Sequence, residues 1–363
     1  MTNRPPELRR LTGLRFVAAA LVVVHHGAAV VAPVPLVTPI ASLGYVGVTF
    51  FFVLSGFVLT WSSDDTLARR HFYGRRFARV YPTHLATLAI VVLLLMVNQR
   101  PIGLATTAVN VPLLHAWFPD PAYTENLNTV SWSLSDEAFF YAAFPFLLLA
   151  LSRLTPGQVW RRVGVVLLAT VVAIPLLRLA AGAEVAGNIL YKAPGLRIGD
   201  FLVGVALALM VKRGWRPRTT LGTAGVVATL AYLVAVAGLW LLDRPEAMRV
   251  APDLLLLGPL ALLIVCAACA DLDDGARTGL ASPRVVMLGK ASFQLYMTHF
   301  LLLMVVAGAL PAAARTSWWV SGTVLLAFTV VAVGVSIVTF TMFEVPSERW
   351  LRRRLGGPAP ARR

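Results

Sequence analysis

Residues 14–26 read LRFVAAALVVVHH. The run is apolar except for Arg15 near its start and His25 and His26 at its end, and it predicts a helix. From Arg15 to His26 is eleven steps of about 100°, three full turns plus roughly 20°. The two side chains therefore share one helix face, His26 about 16 Å above Arg15. A hydrocarbon core is about 30 Å thick, so His26 is expected near mid-depth. A titratable imidazole there is costly unless it faces protein or water, which makes His26 the first candidate for a catalytic group. His25 lies about 100° away and is expected to pack or to hydrogen-bond a neighbouring helix. Adjacent histidines point apart, so no metal pair is expected here.

The rest of the chain fits a membrane setting. Of 363 residues, 58% are hydrophobic and only 13% charged, against about 25% charged in soluble domains. The formal net charge is +15. Its Arg residues sit in the gaps between apolar runs, which points to membrane orientation rather than nucleic-acid binding. The first apolar run has no small-residue cleavage site and leads into further spans, so no cleavable signal is expected. Two cysteines are too few for a disulfide framework.

The expected fold is all-α and membrane-embedded, with ten spans near 14–34, 43–61, 80–97, 131–151, 163–181, 196–211, 221–242, 252–270, 287–310 and 318–343. The sixth is short, and is expected to be tilted, broken or partly re-entrant. Residues 98–130 are expected to form an ordered extramembrane loop. With this division, 25 of the 32 Lys and Arg residues fall on one side, among them Arg4, Arg9, Arg10, Arg75, Arg76, Arg79, Arg213, Arg277, Arg362 and Arg363. Arg100, Arg178, Lys192, Arg197, Arg244, Arg249 and Arg315 fall on the other. Such a bias predicts cytoplasmic termini and an even number of spans. One membrane-embedded domain is expected over 1–363, with 344–363 as a short basic cytoplasmic tail. No internal repeat is evident, so an inverted-repeat transporter gains no support.

Several segments carry candidate chemistry. In GYVGVTFFFVLSGFVLTW, residues 44–61, Gly44, Gly47, Ser55 and Gly56 are small enough for close helix approach. Ser55 has no adjacent base and is a weak nucleophile candidate. In HFYGRRFARVYP, residues 71–82, Arg75, Arg76 and Arg79 form a compact cationic patch. Spacing alone fits a lipid anchor or a phosphate clamp equally well. SWSLSDEAFFY, residues 131–141, opens the fourth span. Trp132 is expected as an interface anchor, and Ser131, Ser133 or Ser135 as the helix cap. Asp136 suits the positive helix start. Glu137 lies deeper, where a carboxylate could orient an imidazole or bind a hydroxyl. Arg197 and Asp200 suit an i, i+3 pair. His299 either lines the same cavity as His26 or packs. Cys266 and Cys269 are read as small helix residues, since no further ligand completes a metal site.

Taken together, these segments resemble acyltransferase family 3, the multi-pass membrane O-acyltransferases. The matching pieces, in order, are LTGLRFVAAALVVVHHG, GYVGVTFFFVLSGF, FYGRRFARVYP, SWSLSDEAFFY, RIGDFLVGVALA, GKASFQLYMTHFLLL and FEVPSERWLRR. The resemblance implies an acyl-CoA donor, acetyl-CoA among the candidates, used as substrate and not as a resident cofactor. It implies a hydroxyl acceptor on a sugar, an envelope glycan or a secondary metabolite. By position it puts the family's essential His on His26, its Arg on Arg15, its carboxylate on Glu137 and its RxxR element on Arg76 and Arg79. The chain departs at Thr49, where many members have Asp, and at His25, where an aromatic residue is usual. Many members also carry a fused hydrolase-like domain. This sequence stops at Arg363, so a stand-alone form is expected, which weighs against a glycan acceptor. An Arg- and Ala-rich stand-alone chain is similar to enzymes that tailor macrolides, ansamycins and other exported natural products.

The expected chemistry is direct acyl transfer, with neutral His26 as general base, held by Glu137 or another neighbour. Trp132, Ser133 or Tyr141 would donate to the developing oxyanion. Arg75, Arg76 and Arg79 would hold the CoA phosphates, and Arg15 would sit along the pantetheine path. An acyl-His intermediate is the variant route. The expected setting is the bacterial cytoplasmic membrane, with no metal and no nucleic acid. The rival class is a transporter or flippase whose polar residues line a pathway.

Overall fold

The computed structural model describes residues 6–63, 69–242, 250–273, 278–310 and 312–355. Arg4, Arg244, Arg249, Arg277, Arg362, Arg363 and the tail end 356–363 lie outside them. The described chain runs through α1 (Arg9–Ala28), a short α2 (Val37–Ala41), α3 (Gly47–Trp61), α4 (Arg69–Val97), α5 (Leu104–Asn110), α6 (Pro121–Glu125), α7 (Trp132–Ser152), α8 (Pro156–Lys192), α9 (Pro194–Lys212), α10 (Leu221–Leu242), α11 (Val250–Asp273), α12 (Pro283–Ala309) and α13 (Trp318–Thr339). A π-helical turn, Phe340–Glu344, leads into α14 (Val345–Arg354). No strand occurs among the described residues.

Nine helical stretches among the described residues are long and apolar enough to cross a membrane. One of these, Pro156–Lys212, is 57 residues long and contains both α8 and α9. It is interrupted at Gly182 (φ 78°) and at Ala193, whose extended backbone separates the two helices. The outer surfaces of α8, α10 and α13 expose Leu168, Leu176, Val226, Leu230, Leu326 and Val330. Apolar surface that extensive belongs against lipid tails rather than water.

α9 differs from expectation. It is a continuous 19-residue helix, about 28 Å long, neither broken nor short. Every residue from Gly199 to Val211 is buried, as a helix that is apolar all round should be. It is the bundle's central post. α3 lies directly against it because both carry glycine at the crossing. A Cβ on Gly204 would stand 1.9 Å from the Val53 carbonyl oxygen, and one on Gly56 would stand 2.0 Å from that of Phe201. The small residues expected in the second span therefore do serve close approach. Gly44 and Gly47 do the same against the backbone of α1.

Four further expectations change. α1 ends at Ala28 rather than near residue 34, so His26 stands in its last turn, near the helix's C-terminal end. The chain beyond carries Pro33 and Pro35, which cannot donate to a continuing helix ladder. Trp132 is not an interface anchor: it is buried against Phe52 and Tyr191. The serines of residues 131–135 do not cap α7. Ser131 Oγ meets His115 Nε2 at 3.2 Å, Ser133 Oγ meets Tyr296 Oη at 2.8 Å, and Ser135 Oγ donates to the Leu113 carbonyl. Asp136 is the fifth residue of α7, beyond the helix start, and is buried with neither oxygen hydrogen-bonded.

The segment 98–130 is ordered, as expected, and is stitched to the bundle. Asn110 O faces His84 Nε2 at 2.8 Å, Asn128 Nδ2 donates to Met297 O, and Lys192 Nζ pairs with Glu125 at 2.7 Å. The tight α3–α9 crossing yields a direct test. Gly204→Ala should destabilise the protein by about 1–3 kcal/mol. Gly225→Ala, with nothing within 4 Å of its Cβ position, should be neutral. Thermal unfolding of the purified proteins in one detergent reads both, and equal melting temperatures would contradict the crossing described.

Candidate active site

Hydrocarbon tolerates few polar groups, so those inside this bundle mark where it is hollow or cross-linked. α1, α3, α4, α7 and α12 surround a cavity of about 130 Å³. Its polar lining includes Arg15, Ser55, Arg76, Arg79, Glu137 and Tyr141, with Ser133 from α7 and Ser292 and Tyr296 from α12. A second hollow of about 210 Å³, bearing Arg69 and Arg75, adjoins it and shares Leu59 and Arg76. Five separately quoted sequence segments thus converge on one space.

Within it, Glu137 Oε2 accepts a hydrogen bond from Tyr141 Oη at 2.5 Å. One turn of α7 separates these two residues, which puts them on one face. The Glu137 carboxylate is therefore engaged by Tyr141, with Arg15, Arg76 and Arg79 as its cationic neighbours. No hydrogen bond joins it to His26 among the described residues, so Glu137 does not hold the imidazole.

Of the five arginines of α4, Arg75, Arg76 and Arg79 differ from one another. Arg79 is committed: Nη1 lies 2.9 Å from Glu344 Oε1 and 3.3 Å from Glu348 Oε2. Glu348 also pairs with Arg352. The π-helical turn aims the buried Glu344 back at α4, which pins the C-terminal helix across the Arg-rich end of the bundle. Arg75 and Arg76 have no carboxylate partner among the described residues. The Arg76 guanidinium lies about 6 Å from the rings of Phe72 and Tyr141, close enough for cation–π attraction. Glu344 and Glu348 escaped the sequence reading. They lie in the quoted segment FEVPSERWLRR, but nothing in their spacing names a partner about 270 residues away.

On α12 the cavity is lined by Ser292, Phe293 and Tyr296 and goes no further. One turn beyond stands His299, whose ring centroid is 6.0 Å from that of Tyr296. His299 Nε2 meets His26 Nδ1 at 3.1 Å. The second intramembrane histidine is thus the direct partner of the first. His26 also packs edge-on to Phe300 and to His25, and His25 Nδ1 donates to the Ala41 carbonyl at 2.9 Å. His25 behaves as expected, bonding a neighbouring element. Phe51 and Tyr296 close the cavity's inner end, so the histidine pair lies just past it rather than in its wall.

A separate buried network ties α3, α9 and α11 together. Arg197 donates to Asp253 Oδ2 at 3.0 Å and to Thr49 Oγ1 at 2.7 Å, and pairs with Asp200 at 2.9 Å. Thr49 Oγ1 in turn donates to Asp253 Oδ1 at 2.5 Å. The expected Arg197–Asp200 pair is present. Asp253 was missed because it opens an otherwise apolar span, and its partner lies on another helix. Cys266 and Cys269 are buried in α11, and no group of three metal-type ligands occurs among the described residues.

Comparison with known proteins bears on this arrangement. The family described as an acyltransferase domain matches residues 8–341. Acyltransferase MdmB of Streptomyces mycarofaciens is 33% identical, over 98% of this chain and 95% of its own length. Exopolysaccharide production protein ExoZ of Rhizobium meliloti is 27% identical, over 74% of this chain and 79% of its own length. No solved structure matches. With its arginine-bearing cavity and paired histidines inside a bundle of membrane-spanning length, the chain belongs to acyltransferase family 3.

Proposed function

We propose that the protein is an acyl-CoA-dependent O-acyltransferase of the bacterial cytoplasmic membrane. It moves an acyl group, acetyl among the candidates, to a hydroxyl of a secondary metabolite of macrolide or ansamycin type, or of that metabolite's sugar. One observation carries this reading. A polar column runs through an apolar bundle, from the arginine-bearing hollows to a cavity that stops one helical turn short of the His26–His299 pair.

The proposed topology has ten crossings. Pro156–Lys212 as one helix would be about 86 Å long, almost three times the core thickness. The breaks at Gly182 and Ala193 make it two crossings. The arginine bias then places both termini and the Arg-rich hollow in the cytoplasm, where acyl-CoA is available.

In the proposed reaction, Arg75 and Arg76 hold the CoA phosphates, because they line the adjoining hollows and, unlike Arg79, form no salt bridge among the described residues. The pantetheine arm lies along the cavity past Arg15, Glu137 and Tyr141. Its thioester passes Phe51 and Tyr296 to reach His26. The acceptor oxygen attacks the carbonyl carbon as His26 removes the hydroxyl proton. Tyr296 Oη donates to the Val130 carbonyl, so the Ser133 hydroxyl, turned away from its partners, is the donor for the charge on the carbonyl oxygen. The C–S bond then breaks, and the proton passes from His26 to sulfur, giving an ester and free CoA thiol. The acceptor class rests on the resemblance to stand-alone tailoring enzymes, and an envelope glycan is the alternative acceptor.

Purified full-length protein in nanodiscs, given acyl-CoA and a panel of hydroxyl acceptors, should release free CoA and form ester. A transporter would release none. His26→Ala should fold normally and lose at least about 10²-fold in kcat; transfer near wild type would remove His26 from the mechanism. Arg76→Ala should raise the donor KM more than the acceptor KM, and equal changes would contradict a donor site. Arg79→Ala should act mainly on stability. It strands the buried Glu344 carboxylate, at a cost of about 3–5 kcal/mol, read as a lower melting temperature. An unchanged melting temperature would show that the pin is dispensable.

A further inference from the structure

The hydrogen bonds around the histidine pair fix where the protons sit. A backbone carbonyl can only accept. His299 Nδ1 lies 3.0 Å from the Leu295 carbonyl oxygen, so in the neutral ring Nδ1 carries the proton and Nε2 presents a lone pair. That lone pair faces His26 Nδ1 at 3.1 Å, and the Val22 carbonyl oxygen faces the same nitrogen at 3.1 Å. A proton on His26 Nδ1 therefore meets two acceptors. The reverse assignment, with His299 protonated on Nε2 and His26 bare at Nδ1, sets nitrogen lone pairs against oxygen at both Leu295 and Val22. Two repulsive contacts replace two hydrogen bonds.

We infer that His299 is a positioning residue that holds His26 in its Nδ1–H tautomer and leaves Nε2 as the base. Nε2 of His26 makes no hydrogen bond among the described residues, and the ring is only half-buried, so that nitrogen keeps an open side. His25 directs its own Nδ1 to the Ala41 carbonyl. The catalytic consequence rests on the proposed acyl transfer. As Nε2 takes the acceptor's proton, positive charge spreads over the ring, and its Nδ1–H points at two neutral acceptors already in position. In soluble acyl-transfer enzymes a carboxylate does this. Here a second imidazole does it without adding a buried anion to an apolar bundle, where an anion is costly. The same geometry gives Glu137 a separate place along the cavity.

The test uses the full-length protein in nanodiscs with ¹⁵N-labelled histidine, His26 being assigned by difference against His26→Ala. Wild type should show His26 protonated at Nδ1 and bare at Nε2. The opposite tautomer in wild type overturns the inference. Replacing His299 adds a kinetic arm. In His299→Ala the Val22 carbonyl remains, so part of the His26 population should shift to the other tautomer. Its kcat should fall about ten- to hundredfold, with the donor KM unchanged. His299→Gln, whose side-chain oxygen can accept from Nδ1–H, should keep the tautomer and recover most of the kcat lost in His299→Ala. Equal losses in the two variants with the tautomer unmoved would overturn the positioning role. Wild type with the expected tautomer but no CoA release from any acyl-CoA would support the tautomer assignment and overturn the acyl-transfer reading.

Discussion

A charged or titratable side chain inside a lipid-facing bundle must find its partner within the protein, because hydrocarbon offers none. That constraint organises this molecule. Three of the buried polar clusters bridge helices distant in sequence. Arg197 links α9 to α3 and α11 through Asp253 and Thr49. Arg79 links α4 to the C-terminal helix through Glu344 and Glu348. His26 links α1 to α12 through His299. Apolar packing between helices has little to drive it in lipid, so such links and the glycine-mediated α3–α9 contact do much of the work of specifying the bundle.

The three links also divide the labour of the site. The Arg197 network cross-braces the central post and lies apart from the cavity lining, so it serves the scaffold. The Arg79 pin holds the π-helical turn and α14 over the Arg-rich end, where it leaves Arg75 and Arg76 unmatched by carboxylate. The histidine pair sits beyond the cavity's inner end, screened by Phe51 and Tyr296. A donor anchored on the arginines must therefore extend the whole length of the cavity, and past two aromatic side chains, before it meets a base. In the proposed reaction, that separation would keep the thioester away from His26 until the arm is fully seated.

Much of this was legible in the sequence, for stated reasons. Helical phase alone put Arg15 and His26 on one face, and glycine spacing announced the close α3 approach. The Arg197–Asp200 pair followed from i, i+3 geometry. What sequence could not give was partnership across helices. Asp253, Glu344 and Glu348 are ordinary-looking carboxylates until their arginines are seen, and His299 was recognised without its link to His26. Glu137 bonds Tyr141, its neighbour one turn on, rather than the imidazole. Trp132 and the early serines of α7 were taken for surface devices because they open a span. They are buried because residues 98–131 fold back over that end of the bundle. The misplaced end of α1 has the same origin: apolar composition continues past Ala28, but Pro33 and Pro35 do not permit a helix to follow it.

The central claim is that the acyl donor reaches His26 from the arginine-bearing side. A structure of the full-length protein bound to a thioether analogue of acyl-CoA tests it most directly. The account predicts phosphates on Arg75 and Arg76, the arm lying along Arg15, Glu137 and Tyr141, and Phe51 and Tyr296 turned aside. The analogue's carbonyl should then lie where one hydroxyl, about 3 Å from His26 Nε2, could bridge base and carbon. An analogue whose carbonyl stops short of Tyr296, or whose phosphates bind elsewhere, would contradict it.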